Sequence, residues 1–249
     1  MNLENAIVVE NLYKSFFLFK KDFRILQWIF TKKGYEKKRE VLKGISFEVK
    51  HGETVGLIGV NGAGKSTLMK LIAGITYPTS GNVSVNGKVG SLINLSAGFN
   101  PDYTGRKNIY YKGTIMGMSK AEIDGIIEEI ADFVELGEYF DRPLRMYSSG
   151  MAARLGFALA VYSNPDVLII DEVLAVGDKS FQNKSKEKVV EMFHAGKAVI
   201  FSSHSDSLIK QFCSRVIYLR DGRIVFDGDV EEGLALYNED IKNKKVNLK

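Results

Sequence analysis

Gly59-Val60-Asn61-Gly62-Ala63-Gly64-Lys65-Ser66-Thr67 fits the pattern G-x-x-x-x-G-K-[ST] at every fixed position, and what flanks it makes the match informative. Thr54-Val55-Gly56-Leu57-Ile58 before it reads as a short buried strand. From Lys65 to Ala73 apolar residues recur at helical spacing. A glycine-rich turn between strand and helix lets backbone N–H groups converge on phosphate oxygens, and the helix aims its positive end at the same place. Lys65 adds a cation for the terminal phosphates, and the Ser66 hydroxyl suits Mg²⁺. A plain Gly-rich turn has no use for Lys-Ser at its end, so the stretch points to a nucleoside triphosphate.

The chain has 249 residues, 45% of them hydrophobic, enough for one large α/β domain with a lobe. Its net charge of +4 is too mild for a nucleic-acid surface. Cys213 is the single cysteine, which fits a reducing compartment. The first ten residues have no basic start followed by an apolar run, and no run approaches the ~18 apolar residues of a membrane span. The sequence reading is neither secreted nor membrane-spanning by itself.

Strands are expected at Ala6–Glu10, Ile45–Val49, Asn82–Val85, Lys88–Leu92, Val167–Ile170, Ala198–Ser202, Arg215–Leu219 and Arg223–Phe226. Helices alternate with them. The pattern is an α/β fold with a mostly parallel core sheet and short antiparallel strands at its start and end. Arg106–Met116 and Ser119–Leu136 read as a helical pair, the second opened by a Ser119/Glu122 capping box, so a small helical subdomain is expected over about 100–160. Residues 242–249 are polar and expected to fray.

The second half of the site follows from strand ends. Val167-Leu168-Ile169-Ile170-Asp171-Glu172 is an apolar run closed by two carboxylates, at the end of a strand where α/β sheets bind ligands. Asp171 is the expected Mg²⁺ partner, directly or through water, and Glu172 is then positioned to orient and deprotonate a water aimed at the γ-phosphate. Phe201-Ser202-Ser203-His204 ends the next apolar strand, which brings His204 to the same sheet edge, within reach of a γ-phosphate. Tyr147-Ser148-Ser149-Gly150-Met151 precedes an amphipathic helix over Ala152–Tyr162. Taken alone, Ser148 is an N-cap. Beside the phosphate loop it is a second anion-ready helix start, and two such starts are reconciled if the site is closed by a second subunit.

Phosphate loop, Tyr-Ser-Ser-Gly-Met, Asp171-Glu172 and His204, in this order and spacing, resemble the ATP-binding cassette ATPases of ABC transporters over nearly the whole chain. The resemblance implies that Gly59 to Thr67 (Gly59, Val60, Asn61, Gly62, Ala63, Gly64, Lys65, Ser66, Thr67) is the Walker A loop, with ATP and Mg²⁺ as cofactors. Ser148 and Gly150 then belong to the signature that contacts the partner subunit's ATP, Glu172 and His204 match the catalytic glutamate and switch histidine, and Asp178 lies near the D-loop. It also implies an aromatic platform for adenine, for which Phe16 is the first choice and Tyr13 the second.

Leu95-Ser96-Ala97-Gly98-Phe99, Thr104-Gly105-Arg106-Lys107-Asn108-Ile109, the Tyr147–Met151 segment and Asp171-Glu172-Val173-Leu174-Ala175-Val176-Gly177-Asp178 are similar to the subgroup that exports lipid-linked O-antigen, capsule and teichoic acid. Ser149 and Met151 replace the usual Gly and Gln of the signature, a departure shared with that subgroup. No Gln follows the strand at Lys88–Leu92; Asn94 is the nearest amide and is carried as a metal-side residue in its place. The implied role is ATP hydrolysis by a homodimer at the cytoplasmic face of the membrane, driving a separate integral permease that moves a polyprenyl-diphosphate-linked glycan. The competing reading is a soluble cassette ATPase of translation or DNA repair. That class joins two cassettes or inserts a coiled coil, neither present here, and no nucleic-acid partner is expected. Within 249 residues no glycan-binding domain is expected after the cassette. Residues 17–39 combine large apolar groups with a basic rim, a composition suited to a membrane interface, or else to aromatics packed on the cassette's own β-subdomain.

Overall fold

The central sheet has six strands in the order β5 (Val89–Ser91), β6 (Val167–Ile170), β7 (Ala198–Phe201), β3 (Thr54–Ile58), β8 (Arg215–Arg220) and β9 (Arg223–Gly228). All neighbours pair in parallel except β8 with β9. The computed structural model describes residues 4–19, 35–171 and 177–246.

Side chains alternate across a strand, so a sheet covered on both faces sends odd and even positions into different cores. Leu168 and Ile170 of β6 join Ile127, Phe133 and Phe157 of the helical lobe, and Phe181 of the helix that follows β6. Val167 and Ile169 join Leu68 and Met69 of α1 (Lys65–Ile72) and the inner face of a second sheet through Ile7, Leu12 and Ile45. All four β6 side chains are fully buried. Each such burial stabilises the fold by about 1.5–3 kcal/mol.

The second sheet is antiparallel, β2 (Tyr35–Lys50), β1 (Asn5–Phe19), β4 (Ser80–Val85). β1 and β2 run well past the Ala6–Glu10 and Ile45–Val49 expected from sequence and pair as far as Phe19 and Tyr35. Phe16-Phe17-Leu18 pairs with Arg39, Lys38 and Lys37, and neither run alternates, so period-2 reading misses them. Residues 20–34, most of the expected interfacial segment, lie outside the described residues.

The helical lobe holds α2 (Gly105–Ile115), α3 (Lys120–Val134) and α4 (Ser149–Tyr162). The capping box of α3 is formed as expected: Glu122 N–H donates to Ser119 Oγ at 3.2 Å and Ser119 N–H to Glu122 Oε2 at 2.7 Å. α5 (Lys179–His194) and α6 (Asp206–Phe212) follow the strands β6 and β7. The last helix, α7 (Val230–Val246), continues into the segment expected to fray. Asp240 holds it to the sheet, accepting from the Tyr218 hydroxyl and from Arg220, both at 2.6 Å.

Candidate active site

Because β3, β6 and β7 are parallel, their C-terminal ends open on one edge, and the residues that follow them meet there. After Ile58 the chain turns at Gly59, where φ is 148° and a Cβ would lie 2.3 Å from the Leu219 carbonyl oxygen. No other residue fits that turn. The helix α1 then begins at Lys65, whose ammonium donates back to the Gly59 carbonyl and, at 3.4 Å, to that of Val60. The cation is thereby held over the loop.

One residue beyond β6, the Asp171 carboxylate accepts a hydrogen bond of 3.1 Å from the Ser66 hydroxyl. These two groups are 105 positions apart in sequence and meet through strand order alone. Ile170 pairs with Phe201 on β7, and Ser202 N–H donates to the Ile170 carbonyl at 2.9 Å. His204, exposed, follows on the same edge. Glu172 lies outside the described residues.

Hard oxygen donors beside a phosphate loop suit Mg²⁺, which takes one or two protein oxygens and fills its shell with phosphate and water. Ser66 and Asp171 match that donor set. Among the described residues no group of three or more His, Cys, Asp or Glu could hold a metal by itself.

A cavity of about 560 Å³ is formed by the loop from Val60 to Thr67 together with Phe16, Phe17, Arg39 and Val41. Between the two aromatics considered from sequence, Phe16 is the one at this cavity. Tyr13 instead packs its hydroxyl against Gly44. Phe17, Arg39 and Val41 were not singled out as nucleotide-site residues, because their place depends on the pairing of the extended ends of β1 and β2.

Ser148 is the N-cap of α4, accepting from Met151 N–H at 3.2 Å. It opens on a different cavity of about 490 Å³, shared with Gly150, Arg154 and Asp178. A third, of about 440 Å³, joins Gly150 to Asn94 and Asp171. Within one chain the structure therefore keeps Ser148 apart from the phosphate-loop cavity and puts Asn94 and Asp171 on the walls of one cavity. Arg154 was missed from sequence. Its guanidinium pairs with Asp178 at 2.6 Å, reaches the Val134 carbonyl at 3.5 Å and lies 4.8 Å from the centre of the Phe181 ring. The Phe181 backbone N–H and Arg154 hold the Asp178 carboxyl below its ordinary pKa.

A family model for the ABC transporter matches residues 42–175, more than half of the chain. The chain belongs to the ABC transporter family. Among curated proteins this ABC chain is 43% identical over 94% of its length to a teichoic acids export ATP-binding protein of Bacillus anthracis, covering 42% of that protein. It is 41% identical to an O-antigen export system ATP-binding protein of Myxococcus xanthus, over 95% of this chain and 56% of that one. With an O-antigen export system ATP-binding protein of Klebsiella pneumoniae it shares 46% identity over 80% of each. The chain thus spans about half the length of the first two relatives. In fold it matches a solved ATP-binding subunit of an ABC transporter (22% identity, 91% of both chains, TM-score 0.70). It also matches a dimeric ATP-binding cassette solved in a post-hydrolysis state with ADP and Pi (22% identity, 90% of this chain and 98% of that one, TM-score 0.68).

Proposed function

We propose that this chain is the ATP-hydrolysing subunit of an exporter of a lipid-linked glycan, working as a homodimer on a separate membrane permease at the cytoplasmic face. The observation that carries the catalytic half is the 3.1 Å contact of Ser66 with Asp171 beside the phosphate loop. The export half rests on the relatives, named for teichoic acid and O-antigen export. Nothing comparable favours translation or DNA repair. Among the described residues no helix is long and apolar enough to cross a membrane.

In this reading the loop N–H groups and Lys65 bind the β- and γ-phosphates, and Ser66 and Asp171 hold Mg²⁺, which when bound neutralises developing phosphate charge. Glu172 takes a proton from the attacking water as the bond between the γ-phosphorus and the bridging oxygen breaks. His204, at the neighbouring strand end, contacts the γ-phosphate. Phe16 supports the adenine, and Asn94 stands in the cleft beside Asp171, where the metal side of the site meets the helical lobe.

The test is Mg²⁺-dependent ATP hydrolysis by the purified chain, with and without Glu172→Gln. The variant is expected to bind ATP as the parent does while losing about a hundredfold or more in turnover, the lower end of what removing a general base costs. Turnover above that level removes Glu172 from the role. Co-purification with a membrane permease supports the export half, and recovery with ribosomes or DNA instead overturns it.

A further inference from the structure

Resting on the nucleotide reading above, we propose that Arg39 is a base-binding residue, whose planar guanidinium extends the Phe16 ring into a two-part platform for the purine. Phe16 on β1 is paired directly with Arg39 on β2, and side chains of such cross-strand partners stand about 4.5–5.5 Å apart at Cβ. Both line the phosphate-loop cavity. Phe16 is 44% exposed, large for an aromatic that serves only the core.

Among the described residues, Lys14 and Glu40 near this pair are already engaged. Lys14, 5.0 Å from the Phe16 ring centre, donates to the Tyr77 carbonyl at 2.6 Å and to Thr76 Oγ1 at 3.3 Å. Glu40, the carboxylate next to Arg39 in sequence, is paired with Lys38 at 2.9 Å. Arg39 itself is exposed and has no ion-pair partner among the described residues. A guanidinium stacks on flat π-systems, purines included, where an ammonium cannot. A ring and a guanidinium from paired positions would thus offer one flat, weakly hydrated surface to a purine in the cavity that Lys65 also lines.

The experiment compares binding of ATP with binding of inorganic tripolyphosphate, both with Mg²⁺, to the full chain by calorimetry. Arg39→Ala is expected to lower ATP affinity by about tenfold, within the usual range for a cation on a π-face, and to leave tripolyphosphate affinity unchanged. Arg39→Lys should recover little, because it keeps the charge and loses the plane. Equal losses for both ligands would make Arg39 a phosphate cation and overturn the proposal, as would undiminished ATP binding by Arg39→Ala or full recovery in Arg39→Lys. In the unaltered protein, ATP but not tripolyphosphate should protect Arg39 from phenylglyoxal; protection by both, or by neither, also overturns it. A parent chain that binds neither ligand is a different failure, that of the nucleotide reading itself, and Lys65→Ala serves as its control by weakening both.

Discussion

Lys65 and Ser66 are adjacent in sequence yet act on different parts of the proposed ligand, and their surroundings say how to separate them. The Lys65 ammonium lies over the carbonyls of Gly59 and Val60, so it is positioned by the same loop that would bind phosphate. Lys65→Ala should therefore raise the dissociation constant for ATP tenfold or more, with Mg²⁺ present or absent, since it removes a charge-assisted contact. Ser66 points instead at Asp171. For Ser66→Ala the expected loss is confined to MgATP, with metal-free ATP bound as before, and an equal loss in both conditions would take Ser66 out of the metal shell. Both residues were legible in the sequence because a phosphate loop is local, nine consecutive residues whose chemistry and backbone demands coincide. Arg39 was not, since its neighbour Phe16 comes from another strand.

At the scale of elements, Arg154 connects three of them: α4, which carries it, the C-terminal carbonyl of α3 at Val134, and the segment that follows Asp171. Gly177 makes this contact possible. Its φ is +73°, and a Cβ there would sit 2.9 Å from Arg154 Nε. Gly177→Ala should lower kcat several-fold with a smaller change in KM, because it disturbs the Arg154–Asp178 pair rather than the phosphate loop. Arg154→Met, which keeps the stem over Phe181 and loses the ion pair, should have the same kinetic signature; a pure loss of melting temperature with normal kcat would reduce the contact to packing. The capping box of α3 gives a pH prediction. Hydrogen bonds from Lys88, then from the Ser119 backbone and side chain, lower the Glu122 pKa from 4.5 to about 2. A carboxylate lowered on folding contributes stability that is present above pH 4.5 and lost as pH falls toward 2. Acid titration of the parent and of Glu122→Gln should converge across that window, and parallel curves would deny Glu122 the role. The box was readable in advance because Ser119 and Glu122 are three positions apart, and β6 because it is a continuous apolar run. The outer ends of β1 and β2 were not, since aromatic and basic runs facing each other lack alternation, nor was the Arg154–Asp178 pair, which depends on how α4 packs against α5.

For the whole molecule the decisive fact is that one chain carries two anion-ready helix starts on separate cavities, the phosphate loop on one and Ser148 on another. A two-fold assembly in which each Ser148 faces the partner's phosphate loop would bring them together twice over. ATP turnover per chain should therefore rise with protein concentration, and strict proportionality of rate to protein down to monomeric concentrations would reject the shared site. Mixing offers a sharper test. Lys65→Ala spoils a chain's own loop, while Ser148→Arg spoils only what it offers its partner, so each variant alone should be inactive. In a one-to-one mixture about half of the dimers are mixed by random pairing of a two-fold assembly, and each contains one site made of an intact loop and an intact Ser148. Activity of up to about a quarter of the parent's should then return, by the same counting. If the mixture stays silent and turnover by the parent is also independent of concentration, each chain must complete its own site, and Ser148 is an N-cap alone.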